Sequence, residues 1–328
     1  MYQPSLKDAW RGRIDAHDGE LGHRWHQVMQ FLDLSKEIPA VPEGKTAFAF
    51  LGFCCDEGVR RNQGRIGAVS GPPTLRGAMA SFAHHLPEHV LLYDAGDVIC
   101  SNGHLEEAQV KLGHKIGILL QNGYRPLVLG GGHETAYGHY LGLEQETEQK
   151  RLGILNFDAH FDLRNYEVQP SSGTPFLQIA DRLRTHGRDF IYNCIGIQEY
   201  GNTRILFETA KRLGVNYTLA GDVQPHKLTE LKENLKSFLD QVDAVYMTVD
   251  LDVFAAAYAP GVSATAALGV QPDLVLELLK YVAANQKLLS FDVVELNPSY
   301  DKDNSTAKLG ASLLYHVVKE WGRTEAVS

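Results

Sequence analysis

The sequence predicts an α/β protein: a three-layer αβα arrangement around a mainly parallel, eight-stranded sheet. Two observations carry this reading. Eight short apolar runs recur along the chain, and runs of that length without polar alternation are typical of strands buried on both faces. Stretches of helical periodicity lie between most of them, and such alternation with short connections yields a parallel sheet covered by helices on both sides.

Residues 1–45 read as an N-terminal helical extension. Trp25, Val28, Met29, Phe31 and Leu32 fall at near-helical spacing, before Pro39 and the Pro-Glu-Gly turn at 42–44. The strand candidates follow at 47–53, 90–93, 126–129, 152–157, 190–195, 215–218, 244–249 and 288–294. Helices are expected at 72–83, 104–122, 134–148, 174–186, 203–213, 227–240 and 272–285, with a last one near 305–322. Gly123 closes one of these, and Pro272-Asp273 opens another. No linker, repeat or low-complexity stretch interrupts the alternation, so 46–328 reads as a single domain.

Composition narrows the function. With 44% hydrophobic and 22% charged residues the chain has the make-up of a globular protein. A formal charge of −9 argues against nucleic acid or an anionic membrane as partner. No apolar run approaches the ~20 residues needed to span a bilayer, and the first twenty residues lack the apolar core of a secretory signal. Cys54, Cys55, Cys100 and Cys194 show no C-x-x-C spacing, which disfavours a thiolate metal site and suits a reduced, cytoplasmic protein.

In a parallel α/β sheet, ligands bind beyond the carboxyl ends of the strands. The run at 152–157 is followed by Asp158-Ala159-His160-Phe161-Asp162. In an extended segment alternate side chains share a face, so Asp158, His160 and Asp162 are expected to point together, ~6–7 Å apart. The run at 244–249 leads into Asp250-Leu251-Asp252, and that at 126–129 into Gly130-Gly131-Gly132-His133. His133, Asp158, His160, Asp162, Asp250 and Asp252 thus gather from three strand ends. Four carboxylates in one pocket need compensation. Two divalent cations balance them and leave room for a bridging hydroxide, and the thiolate-free donor set suits Mn²⁺ or Mg²⁺. The glycine run has a rival reading as a dinucleotide loop, but it lacks the G-x-G-x-x-G spacing.

These motifs resemble the ureohydrolase family of arginase and agmatinase. That family carries G-G-D-H, D-A-H-x-D and D-x-D segments, here Gly130–His133, Asp158–Asp162 and Asp250–Asp252. Two further segments are similar: Asp292-Val293-Val294-Glu295-Leu296-Asn297-Pro298 and Gly71-Pro72-Pro73-Thr74-Leu75-Arg76. The resemblance runs from about Leu51 to Leu314. It implies an arginase-like fold, two Mn²⁺ ions per subunit held by the six residues above, and a homo-oligomer.

The departures are informative. Gly132 replaces the family's aspartate, Glu134 follows His133, and Ser172 stands where arginase has its shuttle histidine. Together with Gly132-His133-Glu134-Thr135-Ala136-Tyr137-Gly138, the Ser171–Phe176 segment and Tyr300-Asp301, they resemble the branch that hydrolyses N-formimidoyl-L-glutamate to L-glutamate and formamide in histidine degradation. Under that resemblance Asp162 holds the attacking hydroxide and relays its proton, and Glu295 pairs with the amidinium. Ser172 donates to the tetrahedral adduct. Arg164, two residues past Asp162, is the first candidate for a substrate carboxylate, followed by Arg60, Arg61 and Arg65. Agmatinase or another guanidino hydrolase is the alternative within the family. A non-catalytic metal-binding protein on the same fold is the alternative outside it. Of the remaining histidines, His139 lies on a different side of its helix from His133 and reads as structural.

Overall fold

The computed structural model describes residues 1–324. In chain order the principal elements are β1 (Tyr2–Gln3), α1 (Trp25–Val28), β2 (Gln30–Phe31), β3 (Thr46–Cys54), α2 (Glu57–Arg61), α3 (Gly71–Met79), β4 (Val90–Ile99), α4 (Leu105–Gln121), β5 (Arg125–Leu129) and α5 (Thr135–Glu144). They continue with β6 (Leu152–Phe157), α6 (Pro175–Thr185), β7 (Ile191–Ile197), α7 (Arg204–Arg212), β8 (Asn216–Leu219), α8 (Leu228–Asp240), β9 (Ala244–Asp250), α9 (Pro272–Ala283), β10 (Leu288–Val294) and α10 (Ser305–Thr324).

The strands form one sheet in the order β1-β4-β3-β5-β10-β9-β6-β7-β8, with β2 also paired to β4. Every pairing is parallel except β1 with β4. All eight expected strands are present. β3 shows why they read as they do. Phe48 and Phe50 face one core layer, while Ala47, Ala49, Leu51 and Phe53 face the other. The first layer also holds Leu75 of α3, Leu235 of α8, Leu278 of α9 and Leu314 of α10. The second holds Leu112 of α4, Tyr140 of α5, Ile179 of α6 and Leu206 of α7. With both faces covered, no polar alternation survives in the central strands.

The first 45 residues depart from expectation. Only four of them, Trp25–Val28, form an α-helix. The rest is an irregular strap that adds β1 and β2 to the edge of the sheet. Its apolar residues are anchors rather than a helix stripe. The rings of Trp10 and Trp25 each lie 5.9 Å from Phe50, and Leu32, Leu34 and Ile38 are buried in the opposite layer. Among the described residues no helix is long and apolar enough to cross a membrane.

Arg76, singled out by its G-P-x-x-x-R setting, is a structural residue. It is 1% exposed and pairs with Asp94 at 2.6 Å and Asp97 at 2.7 Å while donating to the Gly96 carbonyl. Trp10 Nε1 donates to the same Asp94 carboxylate, so this guanidinium ties the N-terminal strap, α3 and β4 together. Arg76→Ala should cost about 3–5 kcal/mol, because it leaves a buried carboxylate unpaired. Denaturant titration measures this, and a loss under ~1 kcal/mol would mean that the carboxylates find other partners.

Candidate metal centre

β5, β10, β9 and β6 are neighbours in that order at the middle of the sheet. His133 follows β5, Glu295 follows β10, Asp250 and Asp252 close β9, and Asp158, His160 and Asp162 follow β6. Strand order alone therefore assembles the predicted set. Two triads form, His133–Asp158–Asp250 and Asp158–His160–Asp252, with the ligating atoms of each within 4.8 Å of one another. Asp158 belongs to both. Its Oδ2 lies 3.0 Å from His133 Nδ1, and its Oδ1 lies 3.6 Å from His160 Nδ1. Asp162 and Asp250 approach His133 Nδ1 to 3.0 and 3.2 Å, and Asp252 approaches His160 Nδ1 to 3.0 Å.

The route to this convergence differs from the expected extended segment. β6 ends at Phe157, and the chain then bends, with Asp162 at φ 49°. Side-chain donors hold the bend. Asn202 Oδ1 accepts from Phe161 N, and Asn202 Nδ2 donates to the Ala159 carbonyl. Other donors orient the carboxylates: Asn156 Nδ2 and His160 N on Asp158, Ala159 N on Asp252, and Asp252 N on Asp250.

The electrostatics call for cations. Burial, with repulsion from Asp252 and Asp158, pushes the Asp250 carboxyl well up. Burial also raises Asp162 and Asp252, each with a contribution from Asp158. Burial opposes charge on the two imidazoles, yet the facing carboxylates outweigh it and push His133 and His160 well above the usual histidine value. Asp158 moves down: His133 and His160 overcome the cost of its burial. His133 Nδ1 is buried with three carboxylate oxygens at 3.0–3.2 Å and an aligned hydrogen bond to none. An oxygen-rich set with two imidazole nitrogens and no thiolate fits two hard or borderline divalent ions sharing Asp158.

The site opens into a cavity of about 320 Å³ lined by Asn62, Arg65, Arg164, Ser172, Asn202, Ser263 and Glu295 as well as the cluster without Asp158, which lies beneath its wall. Glu295 adopts φ 66° and accepts from His133 N at 2.9 Å through Oε1, leaving Oε2 without a partner. Burial and the neighbouring Glu134 push it well up. Ser172 is buried at the cavity wall. Arg164 is exposed at the rim, and its guanidinium makes no hydrogen bond or ion pair among the described residues.

Arg61 is placed elsewhere, which corrects its assignment as a substrate contact. Its guanidinium binds Glu57 within α2 and Glu106 of α4, and reaches the Gly103 and Pro170 carbonyls. It braces the loop that carries Ser172 instead of lining the cavity. Arg60 is likewise tied to Glu57. Of the three loop arginines, Arg65 lines the cavity, held by the Val262 and Ser263 carbonyls and stacked 4.1 Å from the Tyr300 ring. The Gly132 departure also has a physical reason. A Cβ there would lie 2.1 Å from Glu134 Oε2. The Glu134 carboxyl, pushed to about 7 chiefly by burial, accepts from Gly58 N. Sequence reasoning missed Asn156, Asn202, Thr248 and Ser263, whose contacts depend on cross-strand register and loop approach.

Fold and site together define a candidate metal centre at the strand ends of a parallel α/β sheet. Residues 46–319 match the arginase family, and the chain belongs to it. It is 49% identical to a formimidoylglutamase of Chromobacterium violaceum over 96% of this chain and 98% of that one. A formimidoylglutamase of Clostridium tetani is 42% identical over 97% and 95% of the two chains. Among solved structures, the formimidoylglutamase of Bacillus subtilis superposes with a TM-score of 0.76 at 26% identity, covering 89% of this chain and 92% of its own. The Trypanosoma cruzi formiminoglutamase, whose structure carries Mn²⁺, shares the fold with a TM-score of 0.76 at 24% identity over 89% and 98% of the two chains.

Because Asp158 serves both triads, Asp158→Ala should lose both ions, whereas His133→Ala or Asp252→Ala should lose one. Elemental analysis of the purified variants checks this, and two retained ions in Asp158→Ala would refute the sharing. Protons compete with cations for His133, His160 and Asp250, all raised in the metal-free site. Mn²⁺ affinity should therefore climb as pH rises through and above ~6.5, with protons released on binding. Calorimetry in buffers of different ionisation enthalpy measures the release.

Proposed function

We propose that the chain hydrolyses N-formimidoyl-L-glutamate to L-glutamate and formamide, using two Mn²⁺ ions held by His133, Asp158, His160, Asp162, Asp250 and Asp252. The observation that carries this reading is whole-length identity of 42–49% to formimidoylglutamases. The cavity supports it with Ser172 at its wall and two arginines in its lining.

When bound, the cations act as Lewis acids on water and on the amidine. The chain's residues do the rest. Water adds to the amidine carbon, and the bond from that carbon to the glutamate nitrogen then breaks. Asp162 takes a proton from the attacking water and returns it to the departing nitrogen. Glu295 Oε2 accepts from the amidinium N–H groups, a charge-assisted contact that fixes the carbon in place. Ser172 Oγ hydrogen-bonds the adduct; a hydroxyl serves here as a donor, not as a base. Arg164 grips a substrate carboxylate through two parallel hydrogen bonds. A homo-oligomer, as the family resemblance implies, in the cytoplasm completes the reading, and the four free cysteines suit a reduced compartment.

Glutamate release measured with and without added Mn²⁺ tests the activity. Turnover of N-formimidoyl-L-glutamate with none of agmatine is expected, and the reverse would establish the guanidino-hydrolase alternative. Arg164→Ala should lower kcat/KM by about tenfold to a hundredfold, since a charge-assisted bond contributes roughly 1.5–3 kcal/mol. The loss should fall mainly on KM, metal content should stay unchanged, and Arg164→Lys should rescue poorly. Wild-type kinetics in both variants would make Arg164 a solvated residue.

A further inference from the structure

N-formimidoyl-L-glutamate carries two carboxylates, and Arg164 accounts for one. Arg65 is the other arginine in the cavity lining, and several contacts fix it. Its backbone N–H donates to Ser263 Oγ at 3.0 Å, and its carbonyl accepts from Asn297 Nδ2 at 2.9 Å. Asn297 is fully buried and also holds the Ile66 carbonyl at 3.0 Å. Gly67, at φ 138°, lets the loop pass this close: a Cβ there would lie 2.2 Å from Asn297 Oδ1.

The side chain is held as well. Nε donates to the Ser263 carbonyl at 2.8 Å and Nη2 to the Val262 carbonyl at 2.7 Å. The guanidinium carbon lies 4.1 Å from the centroid of the Tyr300 ring, a cation–π contact. The two carbonyls occupy the Nε–Nη2 edge of the planar fork. The Nη1–Nη2 edge keeps two parallel N–H groups. Among the described residues these have no hydrogen-bond partner, and the guanidinium has no acidic one. Carbonyl oxygens orient a guanidinium without neutralising it. Holding a long, exposed arginine in one geometry costs rotamer freedom, and a surface charge needs no such hold to stay solvated. A preset cation with one free edge of paired donors, lining a cavity that receives a dianion, has the form of a carboxylate clamp.

We infer that Arg65 is a second substrate-binding arginine, gripping the carboxylate that Arg164 leaves free, with Asn297 and Tyr300 as the residues that position it. The inference rests on the dicarboxylate substrate proposed above. It gives the segment after β10 a single role: Glu295 meets the amidinium, while Asn297 and Tyr300 fix the cation for the opposite charge.

The test compares Arg65→Ala with wild type on N-formimidoyl-L-glutamate and on its two mono-amides, N-formimidoyl-L-glutamine and N-formimidoyl-L-isoglutamine. On the parent substrate kcat/KM should fall about tenfold to a hundredfold, chiefly through KM. On the amide that lacks the carboxylate held by Arg65, the substitution should cost almost nothing, because the contact is already gone. Tyr300→Ala should give a smaller loss that vanishes in the Arg65→Ala background, and Tyr300→Phe, which keeps the ring face, should keep wild-type KM. Bound metal should not change in any variant. An equal penalty on all three substrates would make Arg65 a loop support, and a fall in bound metal would assign it to balancing the aspartates. Either result overturns the inference, as does wild-type KM in Arg65→Ala. Calorimetric titration with glutarate and with butyrate reads the same contact without turnover. Wild type should prefer the dicarboxylate and Arg65→Ala should lose that preference; no preference in wild type, or one that survives the substitution, counts against Arg65. If wild type leaves N-formimidoyl-L-glutamate intact, the proposed activity falls, and the glutarate titration still decides the role of Arg65.

Discussion

Four aspartates converge on one buried pocket, and much of the architecture is what allows that to persist. Like charges this close cannot all remain ionised without compensation, and an unpaired buried carboxylate is among the costliest groups a fold can carry. The chain supplies partial compensation of its own. Backbone N–H groups of Ala159, His160 and Asp252 and the Asn156 amide are aimed at the carboxylate oxygens. What they leave uncompensated is taken up by protons or by cations, which ties the ionisation of the pocket to its loading.

Topology is what brings the charges together. β9 and β10 come last in the chain yet lie between β5 and β6. Inserting late strands between early ones puts side chains more than a hundred residues apart in sequence within 3.2 Å of each other, as with His133 and Asp250. Rigid strands on both sides then fix the spacing, and the bend after β6 adjusts the last ligand. The arrangement is stiff where the ions would sit and more open at the rim, where Arg164 is exposed.

Much of this was legible in the sequence, for a physical reason. A strand buried on both faces writes itself as an unbroken apolar run, and a polar cluster at its end has few structural explanations. Hence the eight strands, and the three strand ends whose acidic and histidine side chains converge, could be read directly. The strap before Thr46 could not, because Trp25, Val28, Met29, Phe31 and Leu32 fall at helical spacing although Trp25 and Met29 are buried in one core layer and Leu32 in the other. Arg61 and Arg65 look alike in sequence, and only the position of Glu57 and Glu106 decides that one braces a loop and the other faces the cavity. The Tyr246–Asp292 hydrogen bond depends on the register between β9 and β10, which no local pattern encodes.

The strap has a consequence for how copies of the molecule can meet. An open sheet invites another chain to add a strand at its border. Here β1 and β2 occupy the outer side of β4 at Asp97–Val98 and Tyr93–Asp94. The opposite border, β8, offers only four residues, Asn216–Leu219. Neither rim presents a long free row of peptide groups. Self-association is thereby steered away from sheet extension and towards side-chain contacts between helices and loops, where chemistry rather than backbone decides which surfaces fit.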